Sequence, residues 1–288
     1  MRQPAALALL RPHQWIKNLF VAAPLFFTPS ELTAESVVRV LLGMVCFCVL
    51  ASAVYILNDY ADREADRRHP EKCMRPLAAG TVSVSTAFAL MAVLFVGGTT
   101  VAFLLSPTFA LLALVYFGLN LGYSFGLKHF AIVDVMIIAF GFILRVEGGA
   151  RLIEVAPSAW IVIATGLLAL FLAIAKRRDD LVRSLGQDHR RSLDGYNKPF
   201  LDTALAVILG ALLVAYMVYT TDVAVMERLG TPKLFYTAPF VVAGILRYLQ
   251  ITLVEERSGS PTKIVLTDRF LIVTVLGWAL VFGALIYG

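Results

Sequence analysis

The amino-acid sequence predicts an all-α integral membrane protein with nine transmembrane helices, and three observations lead there. Hydrophobic residues fill 59% of its 288 positions and the mean hydropathy is +0.79, too apolar for a soluble domain whose surface faces water. Nine apolar stretches alternate with polar connections, most of them near the ~20 residues that carry a helix across ~30 Å of hydrocarbon. With the N-terminus inside, twenty of the 25 Lys and Arg residues fall on the cytoplasmic side; Arg39, Arg151, Arg228 and Lys233 fall outside, and Arg145 lies within a span. That asymmetry supports both the number of spans and their direction, in an inner cell membrane.

The first stretch, 15–30, is short and interrupted by Pro24 and Pro29. The second, 36–57, runs into a polar segment, 58–82. Stretches 83–105 and 108–125 follow in quick succession. The fifth, 132–150, carries Asp134, Gly141, Arg145 and Gly148 near helical spacing, with Glu147 on another face. A charge at mid-bilayer costs about 2.5–3.5 kcal/mol, so Arg145 must meet a polar cavity, a substrate phosphate or a partner such as Glu147 or another span. The sixth stretch, 158–175, leads into a second polar segment, 176–201. Stretches 202–220, 235–253 and 270–287 complete the set; between the last two, Glu255, Glu256, Arg257, Gly259 and Pro261 read as a solvated connector. One membrane domain, 1–288, thus carries two cytoplasmic loops that can hold an active site, 58–82 and 176–201. Each follows an even-numbered span, as expected of two related helical halves facing a shared cavity.

Composition also excludes several classes. The basic balance is accounted for by topology and attraction to anionic membrane lipids, so no nucleic acid is implied. Met1 to Gln14 holds two arginines and two prolines rather than the apolar core of a cleavable signal peptide. Three cysteines, Cys46, Cys48 and Cys73, make neither a disulfide framework nor a four-ligand zinc site. His13, His69, His129 and His189 lack ligand spacing. The nineteen phenylalanines are the filling and interfacial anchors of a membrane bundle.

The chemistry concentrates in Asn58-Asp59-Tyr60-Ala61-Asp62-Arg63-Glu64-Ala65-Asp66, where the second span ends. On a helix Asp59, Asp62 and Asp66 stand at i, i+3 and i+7, and Asn58, Asp62 and Asp66 follow at i+4 steps, so all converge on one region. Two carboxylates about 6 Å apart at an effective dielectric near 20 repel by roughly 3 kcal/mol, which a divalent cation reverses. Mg²⁺ is usually held by one or two carboxylates, with waters and phosphate oxygens completing its shell. A Mg²⁺ diphosphate site with Asn58, Asp59, Asp62 and Asp66 as ligands is the natural reading. Arg63, Arg67, Lys72 and Arg75 stand ready for the phosphate oxygens that the metal leaves free, and Lys17 and Lys128 are further phosphate candidates at the cytoplasmic mouth.

With Arg11-Pro12-His13-Gln14-Trp15-Ile16-Lys17-Asn18 and Arg75-Pro76-Leu77, this run resembles the UbiA superfamily of membrane prenyltransferases, and within it the decaprenyl-phosphate phosphoribosyltransferase branch. The resemblance covers essentially the whole chain. It implies nine transmembrane helices around a central cavity, Mg²⁺ as cofactor, phosphoribosyl diphosphate as donor and a polyprenyl (decaprenyl) phosphate as acceptor, in the making of cell-wall arabinan precursors. Asn58, Asp62 and Asp66 then carry the catalytic metal. One feature departs from members that act on aromatic rings: their second D-x-x-x-D motif is here Lys176-Arg177-Arg178-Asp179-Asp180, in effect K-x-x-x-D. A donor with an additional 5-phosphate needs cations there, which assigns Lys176, Arg177 and Arg178 to donor phosphates and Asp180 to the metal or the ribose hydroxyls. Farther on, Asp188, Arg190, Arg191, Asp194, Tyr196 and Lys198 form a polar loop, with Tyr196 and Lys198 the candidates for substrate contact.

The acceptor phosphate is already anionic, so attack on an oxocarbenium-like C1 requires no strong general base. Catalysis rests on positioning and on neutralising the departing diphosphate. The rival within the fold is an aromatic prenyltransferase of quinone biosynthesis, against which the missing second acid motif argues. A transporter would instead cluster charge at the midplane in broken spans. The reading is compatible with a single copy or with a homo-oligomer.

Overall fold

The computed structural model describes residues 4–70, 72–183 and 191–288, and every regular element among them is helical. The chain divides into two compact units. One comprises Met1–Phe27, Glu31–Lys128 and Gly141–Pro157; the other comprises Thr28–Ser30, His129–Phe140 and Ser158–Gly288.

The first unit opens with α1 (Ala5–Leu10), a 3₁₀ segment (Pro12–Ala22) and α2 (Ala23–Phe26). It continues with α3 (Ala34–Ala61), α4 (Arg63–Arg68), α5 (Val84–Leu105), α6 (Pro107–Phe125) and the larger part of α7 (Val133–Leu152). Local chemistry sets the helix starts. Thr33 accepts the Ser36 amide at 3.1 Å, Ser83 accepts that of Thr86 at 3.1 Å, and Ser106 caps α6 just before Pro107, whose missing N–H is not needed in a first turn. α3 lies at the centre of this unit. Its fully buried Phe47 meets Phe109 and Tyr116 edge-on, with ring centroids 5.6 and 5.5 Å apart. Backbone approach is closest at Gly149 of α7, where a Cβ would fall 1.9 Å from the Val21 carbonyl oxygen; small residues allow such packing where hydrocarbon supplies no hydrophobic drive.

The second unit holds the start of α7, then α8 (Ala159–Arg183), α9 (Lys198–Thr221), α10 (Val223–Leu229), α11 (Ala238–Leu253), α12 (Pro261–Thr267) and α13 (Arg269–Tyr287). Asn197, Asp222 and Asp268 cap α9, α10 and α13 through the amides of Phe200, Val225 and Leu271 at 2.8, 3.0 and 3.0 Å. α10 ends on Gly230 in the left-handed region at φ 71°. Phe171, Leu201, Leu205, Ile251 and Leu271 form the core, and Tyr248 sits edge-on to Phe171 at 5.0 Å.

Among the described residues seven helices, α3, α5, α6, α8, α9, α11 with its preceding turn, and α13, are long and apolar enough to cross a membrane. The other two expected spans take a different form. Residues 15–30 fold as the 3₁₀ segment, the four-residue α2 and a 3₁₀ turn at Pro29–Glu31, because Pro24 and Pro29 interrupt the backbone ladder. The fifth expected span is one continuous 20-residue helix, α7, but Asp134, Arg145, Glu147 and Arg151 keep it from being apolar. Where the sequence suggests loops from 58 and 176, α3 instead runs on to Ala61 and α8 to Arg183. Asn58, Asp59 and the Lys176 to Asp180 run therefore sit on helical backbone whose polar groups are already paired.

Candidate active site

The acidic run straddles a joint. Asp62 ends α3 and begins α4, with φ −92° and ψ 0°, yet its amide donates to Asn58 O at 2.9 Å and its carbonyl accepts from the Asp66 amide at 2.8 Å. The i+4 succession from Asn58 through Asp62 to Asp66 thus survives the break. Asn58 Nδ2 donates to Asp62 Oδ2 at 3.2 Å, and Ser124 Oγ donates to Asn58 Oδ1 at 3.4 Å. Asp59 and Asp66 are almost fully buried, at 2% and 3% exposure.

Three cations meet these three carboxylates. Arg75 Nη1 donates to Asp66 Oδ2 at 2.6 Å and to Asp59 Oδ1 at 3.3 Å. Arg11 Nη2 also donates to Asp59 Oδ1, and buried Lys128 donates from Nζ to Asp62 Oδ1. Arg11 holds a left-handed backbone, φ 49° and ψ 58°, between α1 and Pro12, and its guanidinium lies over the Tyr55 ring at 5.3 Å. Sequence reasoning quoted Arg11 within a motif but gave it no role. A pairing across 48 residues leaves no local trace.

The other cations assigned to phosphate differ in setting. Arg63 and Arg67 bracket Glu64, at 2.9 and 3.0 Å, and Arg67 Nε donates to Ala78 O at 3.2 Å. Hydrogen bonds from Arg63, then the Arg67 charge, hold the Glu64 carboxyl below the usual range. Lys72 is exposed on a 3₁₀ turn, Lys72–Met74, and Lys17 is half-buried in the 3₁₀ segment.

Arg145, 4% exposed, is held by neutral groups: Nε donates to Asn18 Oδ1 at 2.8 Å, Nη1 to Gly141 O at 2.6 Å and Nη2 to the Tyr116 hydroxyl at 3.0 Å. Tyr116, Phe142 and Phe47 present ring faces at 4.6, 5.4 and 5.7 Å. Of the partners open to it by sequence, Glu147 is not the one taken; Glu147 lies 3.8 Å from Arg151. Buried Asn18, which sequence reasoning left without a role, anchors the arrangement.

In the second unit the run that begins at Lys176 occupies the last turns of α8. The two arginines that the sequence assigns to donor phosphates face inward here. Arg177, 1% exposed, donates to Asp134 Oδ2 at 2.5 Å and to Asp180 Oδ2 at 3.1 Å. Arg178, 2% exposed, donates to Asp202 Oδ1 at 2.5 Å and to Thr252 O at 2.8 Å. Their pairing with facing carboxylates follows from burial, since a guanidinium taken out of water needs an anion. Lys176 is the exposed member of the run, and Asp180 is half-buried. Tyr196 is buried with its hydroxyl on Asp134, and burial, reinforced by that carboxylate, pushes the phenol up to about 12. Exposed Lys198 pairs with Glu256 at 3.3 Å. Asp188 and Arg190 lie outside the described residues.

The donor set of Asn58, Asp59, Asp62 and Asp66 consists of hard oxygens, the chemistry Mg²⁺ takes. Among the described residues no three His, Cys, Asp or Glu side chains converge into a ligand group of their own, because each carboxylate leans on a cation.

Residues 15–274 match the UbiA prenyltransferase family. A protein of Mycolicibacterium smegmatis named decaprenyl-phosphate phosphoribosyltransferase is 34% identical over 291 residues, covering 96% of this chain and 91% of that protein. One of the same name from Mycobacterium tuberculosis is 33% identical over 284 residues, covering 96% and 92%. A UbiA homolog from Archaeoglobus fulgidus, solved bound to DMAPP and Mg²⁺, shares the fold with a TM-score of 0.75 over 99% of each chain at 19% identity.

Proposed function

The chain belongs to the UbiA prenyltransferase family, and from that premise we propose that it transfers 5-phosphoribosyl from phosphoribosyl diphosphate to a polyprenyl phosphate, releasing diphosphate, as a membrane-bound pentosyltransferase supplying cell-wall arabinan precursors. One observation carries this reading: 34% identity to a decaprenyl-phosphate phosphoribosyltransferase over nearly the full length of both chains.

Asn58, Asp59, Asp62 and Asp66 would hold Mg²⁺, which supplies neutralisation of charge on the diphosphate as it leaves C1 of the ribose. Arg75, Arg63, Arg67, Lys72, Lys17 and Lys128 are the residues we assign to phosphate oxygens in the first unit. In the second unit Lys176 and Lys198 take that assignment, with Asp180 toward the ribose or the metal, while Arg177 and Arg178 fix the end of α8 that carries Lys176. The acceptor phosphate attacks as an anion, so the residues need only orient it and exclude water. We read the chain as nine spans with the N-terminus and the Asn58 to Asp66 segment cytoplasmic, on the strength of the Lys and Arg asymmetry.

The test supplies purified protein with labelled phosphoribosyl diphosphate and polyprenyl phosphate, or with a prenyl diphosphate and 4-hydroxybenzoate. Turnover is expected in the first mixture; turnover only in the second makes the protein an aromatic prenyltransferase instead.

A further inference from the structure

Arg75 Nη1 lies 2.6 Å from Asp66 Oδ2 and 3.3 Å from Asp59 Oδ1, so one nitrogen fills the place between two carboxylates that a shared divalent cation would take. Arg11 holds Asp59 as well, and Lys128 holds Asp62. Among the described residues the acidic run is therefore balanced charge for charge within its own unit. Asp59 and Asp66 are buried, and the side chains of Arg11, Arg75 and Lys128 are only 16%, 25% and 4% exposed. A bare Mg²⁺ arriving here must displace cations that then have no anion, and unpaired charge is costly where water is scarce. A metal diphosphate brings both halves of the exchange: the ion for the carboxylates, and phosphate oxygens for the released guanidiniums and ammonium.

We propose that Arg11, Arg75 and Lys128 are exchangeable counter-ions, which make the Asn58 to Asp66 segment a site for the metal diphosphate taken up as one unit and close it to free divalent cations. This rests on the metal-diphosphate reading above, and not on which group the diphosphate carries. Arg11 has a left-handed backbone, and its guanidinium lies over Tyr55. Arg75 stands at the start of the turn that leads through Pro76 and Gly80 to α5.

Titration calorimetry on the purified full-length chain tests this with Mg²⁺ alone and with Mg²⁺ plus inorganic diphosphate. The wild-type protein should bind Mg²⁺ at least about tenfold more tightly when diphosphate is present, the equivalent of ~1.4 kcal/mol. Arg75→Gln should tighten the binding of Mg²⁺ alone by about tenfold and weaken that of the metal diphosphate by a similar factor. Opposed signs are the signature, since a merely structural arginine would weaken both. Arg11→Gln, with the same expected pattern, serves if Arg75→Gln fails to give a folded protein by thermal unfolding. Equal wild-type affinity with and without diphosphate overturns the proposal, as does a folded variant in which binding of Mg²⁺ alone is unchanged or weakened; both leave the metal-diphosphate reading standing. A wild-type protein that binds no metal diphosphate overturns that reading and the proposal together.

Discussion

The hydroxyl of Tyr196 donates to Asp134 Oδ1 at 2.8 Å, and the hydroxyl oxygen in turn accepts the Ile132 amide at 2.6 Å. Ile132 has a positive φ of 69°, unusual for a β-branched residue, and Tyr196 supplies the acceptor that its N–H needs. Tyr196→Phe removes both bonds: the Ile132 amide loses its acceptor, and the buried Asp134 Oδ1 keeps only the Val135 amide, at 2.8 Å. The expected loss is about 1–3 kcal/mol of stability, read as a lower thermal midpoint in detergent; an unchanged midpoint would remove Tyr196 from the framework of its unit.

The same contact makes a pH prediction. Burial and the Asp134 charge raise the phenol from its ordinary 10.0 to about 12, favouring the protonated form in the folded state. Its contribution to stability is therefore complete below about pH 10 and lost as the pH climbs through about 12. Tyrosinate absorbance, taken as the difference between wild type and Tyr196→Phe, should show one residue ionising in that upper range. Ionisation near 10 contradicts the geometry.

Asp62→Asn and Asp66→Asn each replace a carboxylate with an amide of the same shape. Mg²⁺-dependent donor turnover should fall by on the order of 10²–10³-fold, while membrane insertion and gel-filtration behaviour stay as in the wild type. Near-normal turnover would take these residues out of the metal site.

Arg145→Met leaves Asn18 Oδ1 and the Tyr116 hydroxyl without their donor and strips the cation from three ring faces. A loss of about 3 kcal/mol is expected. Arg145→Lys should recover only part of it, because an ammonium cannot reproduce the planar fork. Thermal unfolding of the two variants side by side gives the comparison, and equal midpoints for Lys and Arg would count against the described cage.

Two helical glycines, Gly149 of α7 and Gly97 of α5, should respond oppositely to alanine. At Gly149 a Cβ meets the Val21 carbonyl oxygen at 1.9 Å, a backbone atom that cannot step aside, whereas nothing lies within 4 Å at Gly97. Gly149→Ala should cost about 1–3 kcal/mol through displaced packing. Gly97→Ala should be neutral or stabilise by up to about 1 kcal/mol through helix propensity. Similar effects at the two positions would argue against the close approach of α7 to the 3₁₀ segment.

Legibility in the sequence followed the range of the interaction. The i+4 succession from Asn58 to Asp66 can be read locally, because helical periodicity is a property of the chain itself. The joint at Asp62 cannot, since nothing in the run forbids one unbroken helix. Arg177 and Arg178 looked like phosphate ligands because a charge run does not reveal which members turn inward; Asp134 and Asp202, which hold them, come from other elements. Glu64, between Arg63 and Arg67, received no role although its spacing to Arg67 was visible. Pro24 and Pro29 are visible in the first apolar stretch, yet the sequence reading still counts it as a transmembrane helix, and nothing local shows that it winds largely as 3₁₀. Asn18 stood inside a quoted motif, yet its guanidinium partner lies 127 positions away.

α7 also bears on how the protein is made. Arg145 finds Asn18 and Tyr116, both synthesised earlier, whereas Asp134 must wait for Arg177, 43 residues later, and then for Tyr196. Of the two buried charges on α7, one has its partners as soon as the helix leaves the ribosome and the other has none. The polar contacts of α7 are complete only once α8 and the segment bearing Tyr196 have been made, so α7 and α8 settle as a pair rather than one at a time.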